Sequence, residues 1–414
     1  MVNYFYDCYS ILNKVYSDKT YFKQAINSTF IEEKNRALTV KTCYGVLDKD
    51  IELSYYIKTL TEKSPKLVIR TILKISMYAI KYLKKQPYAV TKNAVELTKK
   101  LGKGGMSGFV NAFLRKFINF DFELPEDPVK NLSIKYSFPE FAVKSLIDDY
   151  GLEETEKIIS FENDKNTLVF YGVDGEDYLK NMGVNYEKTP FDNAFFVKNF
   201  VRNADYDKGL YTYQAIGSVA ICEVVEKGEK LLDCCSAPGG KSIRLSHKLK
   251  KVYACDIHEH RVELINDYIK RMNCENISTF VCDSTLFNPE FKDQFDAVLC
   301  DSPCSGLGVT NDNPDIKLNR EEKSVFELNE IQSKILKNVS KYVKKDGYLY
   351  YSTCSILKSE NDDIIKNFLK ENTDFCLEKI DSKLDAKKTE FGLQFLPHIS
   401  GGNGFFVSKL KRIK

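Results

Sequence analysis

Residues 230–242 read Lys-Leu-Leu-Asp-Cys-Cys-Ser-Ala-Pro-Gly-Gly-Lys-Ser, a short apolar run followed by a glycine-containing turn. Gly239 and Gly240 allow the backbone of this turn to approach a ligand closely, because glycine carries no side chain. The spacing matches neither the P-loop GxxxxGK[ST] nor the dinucleotide fingerprint GxGxxG. The stretch therefore predicts a strand, a ligand-binding turn and the first turn of a helix.

Apolar strands and helical patterns alternate downstream of this turn. The predicted elements are strand 231–235, a helix from 240, strand 252–257, helix 259–272, strand 279–282, strand 295–300, a long helix around 321–343, strand 348–352 and a helix after 359. Repeated strand–helix units of this kind indicate a parallel sheet covered by helices.

Two carboxylates follow the next two predicted strands. Asp256 ends the second strand, about 20 residues after the turn, where a carboxylate can bind ribose hydroxyls. Asp283 ends the third strand, in a position to meet an adenine amino group. Either aspartate alone could equally be a helix N-cap. Their place at consecutive strand ends beside the turn favours a nucleoside cofactor site.

Two cysteines lie just beyond the carboxyl ends of the fourth and fifth strands. Cys304 stands in Asp301-Ser-Pro-Cys-Ser, and Cys354 stands in Tyr351-Ser-Thr-Cys-Ser. Active sites of α/β folds form at this edge, where a thiolate can act as a nucleophile. An isolated cysteine is more often a small buried hydrophobe, and we assign that role to the cysteines at 255, 282 and 300.

The first 120 residues indicate helices and carry most of the positive charge. Apolar residues recur at helical spacing, for example over 67–82 and 109–117, and predict five to seven helices. This part has 21 Lys and Arg against 9 Asp and Glu, whereas the remainder has 40 against 49. The excess could belong to an ordinary solvated surface, but it also suits a polyanionic partner.

The middle of the chain is less informative. Pro125, Pro128 and Pro139 mark a joint, and strand-like runs at 167–171 and 195–197 flank a predicted helix near 176–182. A small α+β module of the ferredoxin or RNA-recognition kind and a structural spacer are equally compatible with this pattern.

Composition excludes several classes. No apolar run approaches the roughly 18–20 residues that span a bilayer, and the N-terminus lacks a signal-peptide pattern. Ten of the twelve cysteines lie between Cys222 and Cys376, several within strands, as expected for a reducing cytosol rather than a disulfide scaffold. CxxC and HExxH motifs are absent, so we expect no metal site.

The segments CCSAPGGKS, VYACDIHEHRVELI, FDAVLCDSPCSGLGV and YSTCSI resemble the motif set of RNA cytosine-5 methyltransferases that use S-adenosylmethionine. The stretches Asn35-Arg-Ala-Leu, Pro87-Tyr-Ala-Val-Thr-Lys-Asn-Ala-Val-Glu-Leu and Gly108-Phe-Val-Asn-Ala-Phe-Leu-Arg give residues 3–120 a resemblance to a NusB-type RNA-binding domain. This second resemblance narrows the first to the bacterial 16S rRNA B type within the Sun and nucleolar-protein family. The resemblance implies a helical domain over 1–125, linker helices with an α+β module over 126–225, and a Rossmann-like methyltransferase domain over 226–414.

The resemblance also implies roles for individual residues. Cys354 would attack C6 of the cytosine, Cys304 would assist release, Asp301 would bind the cytosine ring, and Lys241 would support the site or the cofactor. The residues implied to bind S-adenosylmethionine are Cys235, Ser236, Ala237, Pro238, Gly239, Gly240, Lys241, Asp256, Asp283 and Asp301.

The implied substrate is 16S rRNA, free or in an early assembly intermediate, with cytosine 967 as the target. A cytoplasmic monomer without a membrane or metal partner is expected. The same chemistry on tRNA and a non-catalytic RNA-binding factor stay open as alternatives. The sequence departs from the family pattern at Ala215, at 310–315 and at Asn403, positions that we expect on RNA-contacting surfaces.

Overall fold

The structure is a computed structural model that describes residues 2–414. Contacts within the chain define two compact units. One comprises the residues up to Ser160 together with Thr310–Glu321, and the other comprises Phe161–Val309 and Glu322–Lys414. The three-part division expected from the sequence, with boundaries near 125 and 225, stays a prediction.

The first unit is built from helices, as predicted. Its consecutive helices are α1 (Val2–Asp18), α2 (Phe22–Asn27), α3 (Glu33–Asp48), α4 (Asp50–Leu60), α5 (Leu67–Lys81), α6 (Pro87–Lys100), α7 (Ser107–Ile118), α8 (Pro128–Tyr136), α9 (Glu140–Tyr150) and α10 (Leu152–Ser160). Their periodic apolar residues form one core; in α7, for example, Val110, Phe113, Leu114 and Phe117 are buried. Proline begins α6 and α8, where a missing N–H costs no helical hydrogen bond.

The second unit begins with a small α+β module. Its elements are β1 (Asn166–Phe170), α11 (Gly175–Asn181), β2 (Tyr186–Lys188), β3 (Ala194–Val197), α12 (Ala204–Asp207) and β4 (Tyr211–Tyr213). The antiparallel strand order β2-β3-β1-β4 is the ferredoxin-like order, which confirms the α+β interpretation.

Alternate residues of β1 face two different cores. Leu168 and Phe170 pack with Leu179 of α11, whereas Val169 packs with Ile216 and Leu231 of the following sheet domain. Both faces of the small sheet are therefore covered, and the face opposite α11 is not free to stack RNA bases as the sheet of an RNA-recognition module does.

The remaining elements of the chain, all but one of which form the Rossmann-like domain, follow in order. They are α13 (Ile216–Val224), β5 (Lys230–Asp233), α14 (Gly240–Ser246), β6 (Lys251–Asp256), α15 (Glu259–Met272), β7 (Ile277–Val281), β8 (Phe295–Asp301), α16 (Ile316–Asn319), α17 (Glu322–Val339), β9 (Val343–Thr353), α18 (Asp362–Glu371), β10 (Phe375–Leu377), β11 (Lys387–Lys388), β12 (Leu393–Phe395), α19 (Pro397–Ser400) and β13 (Phe405–Arg412). Of these, α16 lies in the first unit.

The main sheet is mixed rather than wholly parallel. Strands β7-β6-β5-β8-β9 are parallel neighbours in that order. The antiparallel β13 pairs with β9, β10 and β12 both pair with β13, and β11 pairs with β12. The parallel part has the doubly wound strand order: successive strands β5, β6 and β7 are added toward one edge of the sheet, and β8 and β9 toward the other. The order of addition therefore reverses between β5 and β8. Ligands of such sheets bind beyond the strand ends at this reversal.

The long helix predicted over 321–343 ends earlier, at Val339. A short 3₁₀ turn follows, and Val343 then pairs with Phe295 of β8 as the first residue of β9. Because β9 begins at Val343, the sheet takes up the last residue that the apolar pattern assigned to the helix, and the 3₁₀ turn takes up the three before it.

Thr310–Glu321 is the only part of the second half of the chain that groups with the helices of the first unit. Lys317 donates to the side-chain and main-chain oxygens of Asp48 at 2.6 and 2.8 Å, and the Phe22 amide donates to Asp315 at 3.1 Å. Asp315 and Asn403 are 3% and 2% exposed. The expectation that Asp315 and Asn403 lie on an RNA-contacting surface is therefore wrong, because packing buries both. For the rest of 310–315, where Asp312 is exposed, it stays a prediction.

Candidate active site

The turn after β5 is held against the next strand. Ser236 donates from its backbone nitrogen and from its hydroxyl to the carbonyl of Cys255, at 2.9 and 3.0 Å. Gly239 closes the turn at φ +108°, and a Cβ there would lie 3.3 Å from Ile265. The turn therefore requires glycine at this position and has one fixed shape beside the end of β6.

Asp256, the last residue of β6, is 3% exposed and faces this turn. The Ala237 amide approaches its Oδ2 at 3.4 Å, and the Arg261 guanidinium lies 3.3 Å from its Oδ1. Oδ1 accepts no hydrogen bond from the described residues. A buried carboxylate with a free acceptor at this strand end fits the ribose of a nucleoside cofactor.

Asp283 lies two residues beyond β7 and is engaged locally. Its Oδ1 accepts hydrogen bonds from the nitrogen and the hydroxyl of Thr285, at 2.9 and 2.6 Å. These bonds close a turn within a loop and cap no helix, and the contact with adenine stays a prediction. Cys282 also differs from expectation, because it is half-buried beyond the strand rather than inside it.

Lys241 and Asp301 form an ion pair at the reversal of the sheet. Lys241 Nζ lies 2.7 Å from Asp301 Oδ2, and the hydroxyl of Ser352 donates to Oδ1 at 2.7 Å. Burial alone would lower the pKa of Lys241, but the charge and hydrogen bond of Asp301 outweigh burial and raise it. Lys241 therefore stays protonated, and hydrogen bonds to both carboxylate oxygens hold Asp301 in one orientation.

The two predicted cysteines meet. Cys304 Sγ and Cys354 Sγ are 3.2 Å apart, beyond the ends of the parallel neighbours β8 and β9. The hydrogen bond with Cys354, together with burial, raises the pKa of the Cys304 thiol. Gly308 lets the two loops approach: its amide donates to the Cys354 carbonyl at 3.0 Å, and a Cβ there would lie 2.8 Å from that oxygen.

Sequence reasoning missed the buried polar side chains that hold these loops. Glu360 and Asn361, both fully buried, bond to the loop that contains Cys354, and Gln332 of α17 bonds to the carbonyl of Pro303. The only signal in the sequence is the polar triplet Ser359-Glu-Asn shortly after YSTCSI. Nothing in its local pattern indicates that these groups lie inside the protein.

The basic residues singled out in the first unit are mostly at its surface. The exposed ones are Lys84, Lys85, Lys92, Lys99, Lys100, Lys103, Arg115 and Lys116. Lys81 instead binds Glu52 at 2.7 Å. Within residues 2–414, the structure contains no helix that could span a bilayer and no group of three or more potential metal ligands.

A doubly wound sheet with a nucleoside-binding turn after its first strand is the framework of S-adenosylmethionine-dependent methyltransferases, and the fold and site define a member of that class. Residues 221–411 match the model of the family described as 16S rRNA methyltransferase RsmB/F, and residues 7–119 match the NusB family. The chain belongs to the RsmB/F family.

Similar proteins agree over nearly the full length. A probable ribosomal RNA small subunit methyltransferase B of Bacillus subtilis is 33% identical, over 97% of this chain and 95% of its own length. The ribosomal RNA small subunit methyltransferase B of Photorhabdus laumondii is 30% identical over 92% of each chain. The crystal structure of PH0851 shares the fold, with a TM-score of 0.84 over 100% of this chain and 99% of its own, at 21% identity.

Proposed function

We propose that this protein transfers a methyl group to C5 of a cytosine in 16S rRNA, with cytosine 967 as the target, through a covalent adduct to Cys354. The observation that carries the proposal is the pair of thiols 3.2 Å apart next to the Lys241–Asp301 ion pair. One thiol can attack C6 of the base, while the other remains available to assist the release of the attacking sulfur from the methylated base.

S-adenosylmethionine, held by the turn 235–241 and Asp256, supplies an electrophilic methyl group when bound. C5 of cytosine is a poor nucleophile by itself. The Cys354 thiolate forms a bond to C6, which moves electron density to C5. C5 would then take the methyl group, while the sulfur of the broken S–CH3 bond keeps the electron pair and leaves as S-adenosylhomocysteine. A base removes the C5 proton, the bond between sulfur and C6 breaks, and the double bond of the ring is restored.

Asp301 is proposed to bind the cytosine ring and to stabilise the charge that develops on N3 during the addition. Lys241 and Ser352 occupy its two oxygens and hold the carboxyl group in one orientation. Cys304 keeps its proton beside Cys354 because its pKa is raised, which suits a group that assists the departure of the Cys354 thiol at the end.

The target base must leave its stack to reach the thiols, and an unpaired loop of RNA makes this least costly. We propose that the exposed lysines of the first unit contact RNA phosphates, since lysine acts on phosphate as a point charge. We expect the enzyme to act in the cytoplasm, because its proposed substrate is bacterial ribosomal RNA, and we expect it to be a monomer.

The test is transfer of tritium from S-adenosylmethionine to unmethylated 16S rRNA, with tRNA as the competing substrate. We expect Cys354→Ala to abolish transfer and Cys304→Ala to accumulate a covalent protein–RNA adduct on a denaturing gel. Cys376→Ala, a cysteine on β10, is the matched control. Full activity of Cys354→Ala would reject the nucleophile, and bisulfite mapping of both RNAs decides the target.

A further inference from the structure

Glu360 lies between the two cysteine loops, and its side chain has no access to solvent. It follows β9 by seven residues and precedes α18. Glu360 belongs neither to the turn 235–241 nor to the Lys241–Asp301 ion pair. A buried carboxylate is costly unless it is fully hydrogen-bonded, so its position calls for a role.

The carboxylate accepts four hydrogen bonds. Oε1 receives the backbone N–H of Ser305 at 2.7 Å and the Gln332 amide at 3.1 Å. Oε2 receives the hydroxyls of Ser305, at 2.5 Å, and of Ser355. Ser305 immediately follows Cys304, and Ser355 immediately follows Cys354, so one carboxylate joins the residues next to both thiols.

Neighbouring groups strengthen the same connection. Gln332 also donates to the carbonyl of Pro303, at 3.0 Å, so the Cys304 loop is held on both sides of the cysteine. Asn361 donates to the carbonyl of Ser355 at 3.1 Å and accepts from the hydroxyl of Thr353 at 2.5 Å. The Cys354 loop is therefore also fixed on both sides.

All four donors to Glu360 are uncharged groups, so hydrogen bonds from neutral donors stabilise its negative charge. That charge acts on its surroundings. Besides the hydrogen bond with Cys354 and burial, the negative charge of Glu360 contributes to raising the pKa of Cys304. The same side chain can thus set both the position and the protonation of the second thiol.

We propose that Glu360 is a positioning residue of the methyl-transfer reaction, which clamps the Cys304 and Cys354 loops so that the two thiols stay within hydrogen-bonding distance. This rests on the function proposed above for the two cysteines. A purely structural glutamate would affect stability but would leave the reactivity of Cys304 unchanged.

Three variants separate these roles. Glu360→Gln keeps the shape and removes the charge, whereas Glu360→Asp keeps the charge but is one methylene too short to reach both loops. Ser355→Ala removes the link to one loop and leaves the carboxylate in place, so it carries the test if a Glu360 variant fails to fold. Glu371→Gln, which changes a glutamate on α18 that is paired with Lys337 at the surface, is the matched control.

The first measurement needs no RNA: the pH dependence of Cys304 alkylation by iodoacetamide, followed by peptide mass spectrometry. We expect Glu360→Gln to shift the Cys304 profile to lower pH and the control to match the wild type. The second is methyl transfer at saturating RNA. We expect Glu360→Asp and Ser355→Ala to lower kcat by about 10- to 100-fold, because small displacements of reacting groups cost about that much, with an unchanged KM for S-adenosylmethionine.

An unchanged Cys304 profile in Glu360→Gln together with wild-type kcat in Glu360→Asp and Ser355→Ala would overturn the proposal. A shifted profile in a protein whose wild type transfers no methyl group to RNA would support the clamp while rejecting the proposed function. A loss of thermal stability with both readouts unchanged would show a structural role alone.

Discussion

Replacing Lys241 by methionine removes the ammonium group that binds Asp301 and keeps an apolar side chain of similar length. The two side chains are 12% and 26% exposed, and their charged atoms are 2.7 Å apart. Asp301 would keep its hydrogen bond from Ser352 but would lose the partner that fixes its second oxygen. We expect the protein to fold and methyl transfer to slow.

The size of the effect follows from the geometry. At an effective dielectric constant near 20, two unit charges at this distance attract by about 6 kcal/mol. Desolvation cancels much of this, and hydrogen bonds between charged groups are worth about 1.5–3 kcal/mol net. If that difference is expressed in the transition state, kcat falls about 10- to 150-fold.

The assay is a double-mutant cycle in single-turnover methyl transfer. Asp301→Asn should itself be strongly impaired, because Asp301 is proposed to contact the base. If Lys241 acts by orienting Asp301, Lys241→Met should have little further effect in that background. Lys250→Met, which breaks an exposed ion pair with Glu229, is the control and should leave the rate unchanged. Additive losses in the double variant would refute the coupling.

Burial raises the pKa of Asp233 to about 7, so between pH 4 and 7 the folded state holds a proton that the unfolded state releases, and stability falls as the pH rises. Asp233→Asn should remove up to about 4 kcal/mol of that dependence, measured by urea unfolding from pH 4 to 8. Lys317→Met should destabilise the first unit by about 2 kcal/mol, because half-buried Asp48 loses one hydrogen bond to its carboxylate and one to its carbonyl but keeps its ion pair with Lys49; an unchanged urea midpoint would contradict this. Replacing Lys84 and Lys85 by glutamine should weaken RNA binding and lower the slope of log affinity against log salt by about 1 for each phosphate that the variant no longer neutralises; an unchanged slope would exclude both lysines from the interface.

The parts of the fold that could be predicted are those whose signal is local. The turn 230–242 and the helices of the first unit follow from apolar spacing and glycine placement over short windows. The antiparallel strands β10–β13 escape such patterns, because β13 pairs with β9 far back in the chain, and the other three join the sheet only through β13. The grouping of Thr310–Glu321 with the first unit is equally non-local, since Lys317 meets a partner 269 residues away.

The site divides in the same way, and the division has a chemical reason. Each reactive side chain must project from a particular strand end or turn, and the order of strands and helices in the sequence predicts such positions. This is why contiguous motifs contain Cys304, Cys354, Asp301 and Lys241. The groups that hold those side chains act through hydrogen bonds to backbone atoms in other loops. The residues next to Glu360 in the sequence do not indicate its role. Its carboxylate is fully hydrogen-bonded only because the two cysteine loops come together around it in the fold. A buried, fully hydrogen-bonded acid beside reactive side chains is therefore where structure adds to sequence most directly.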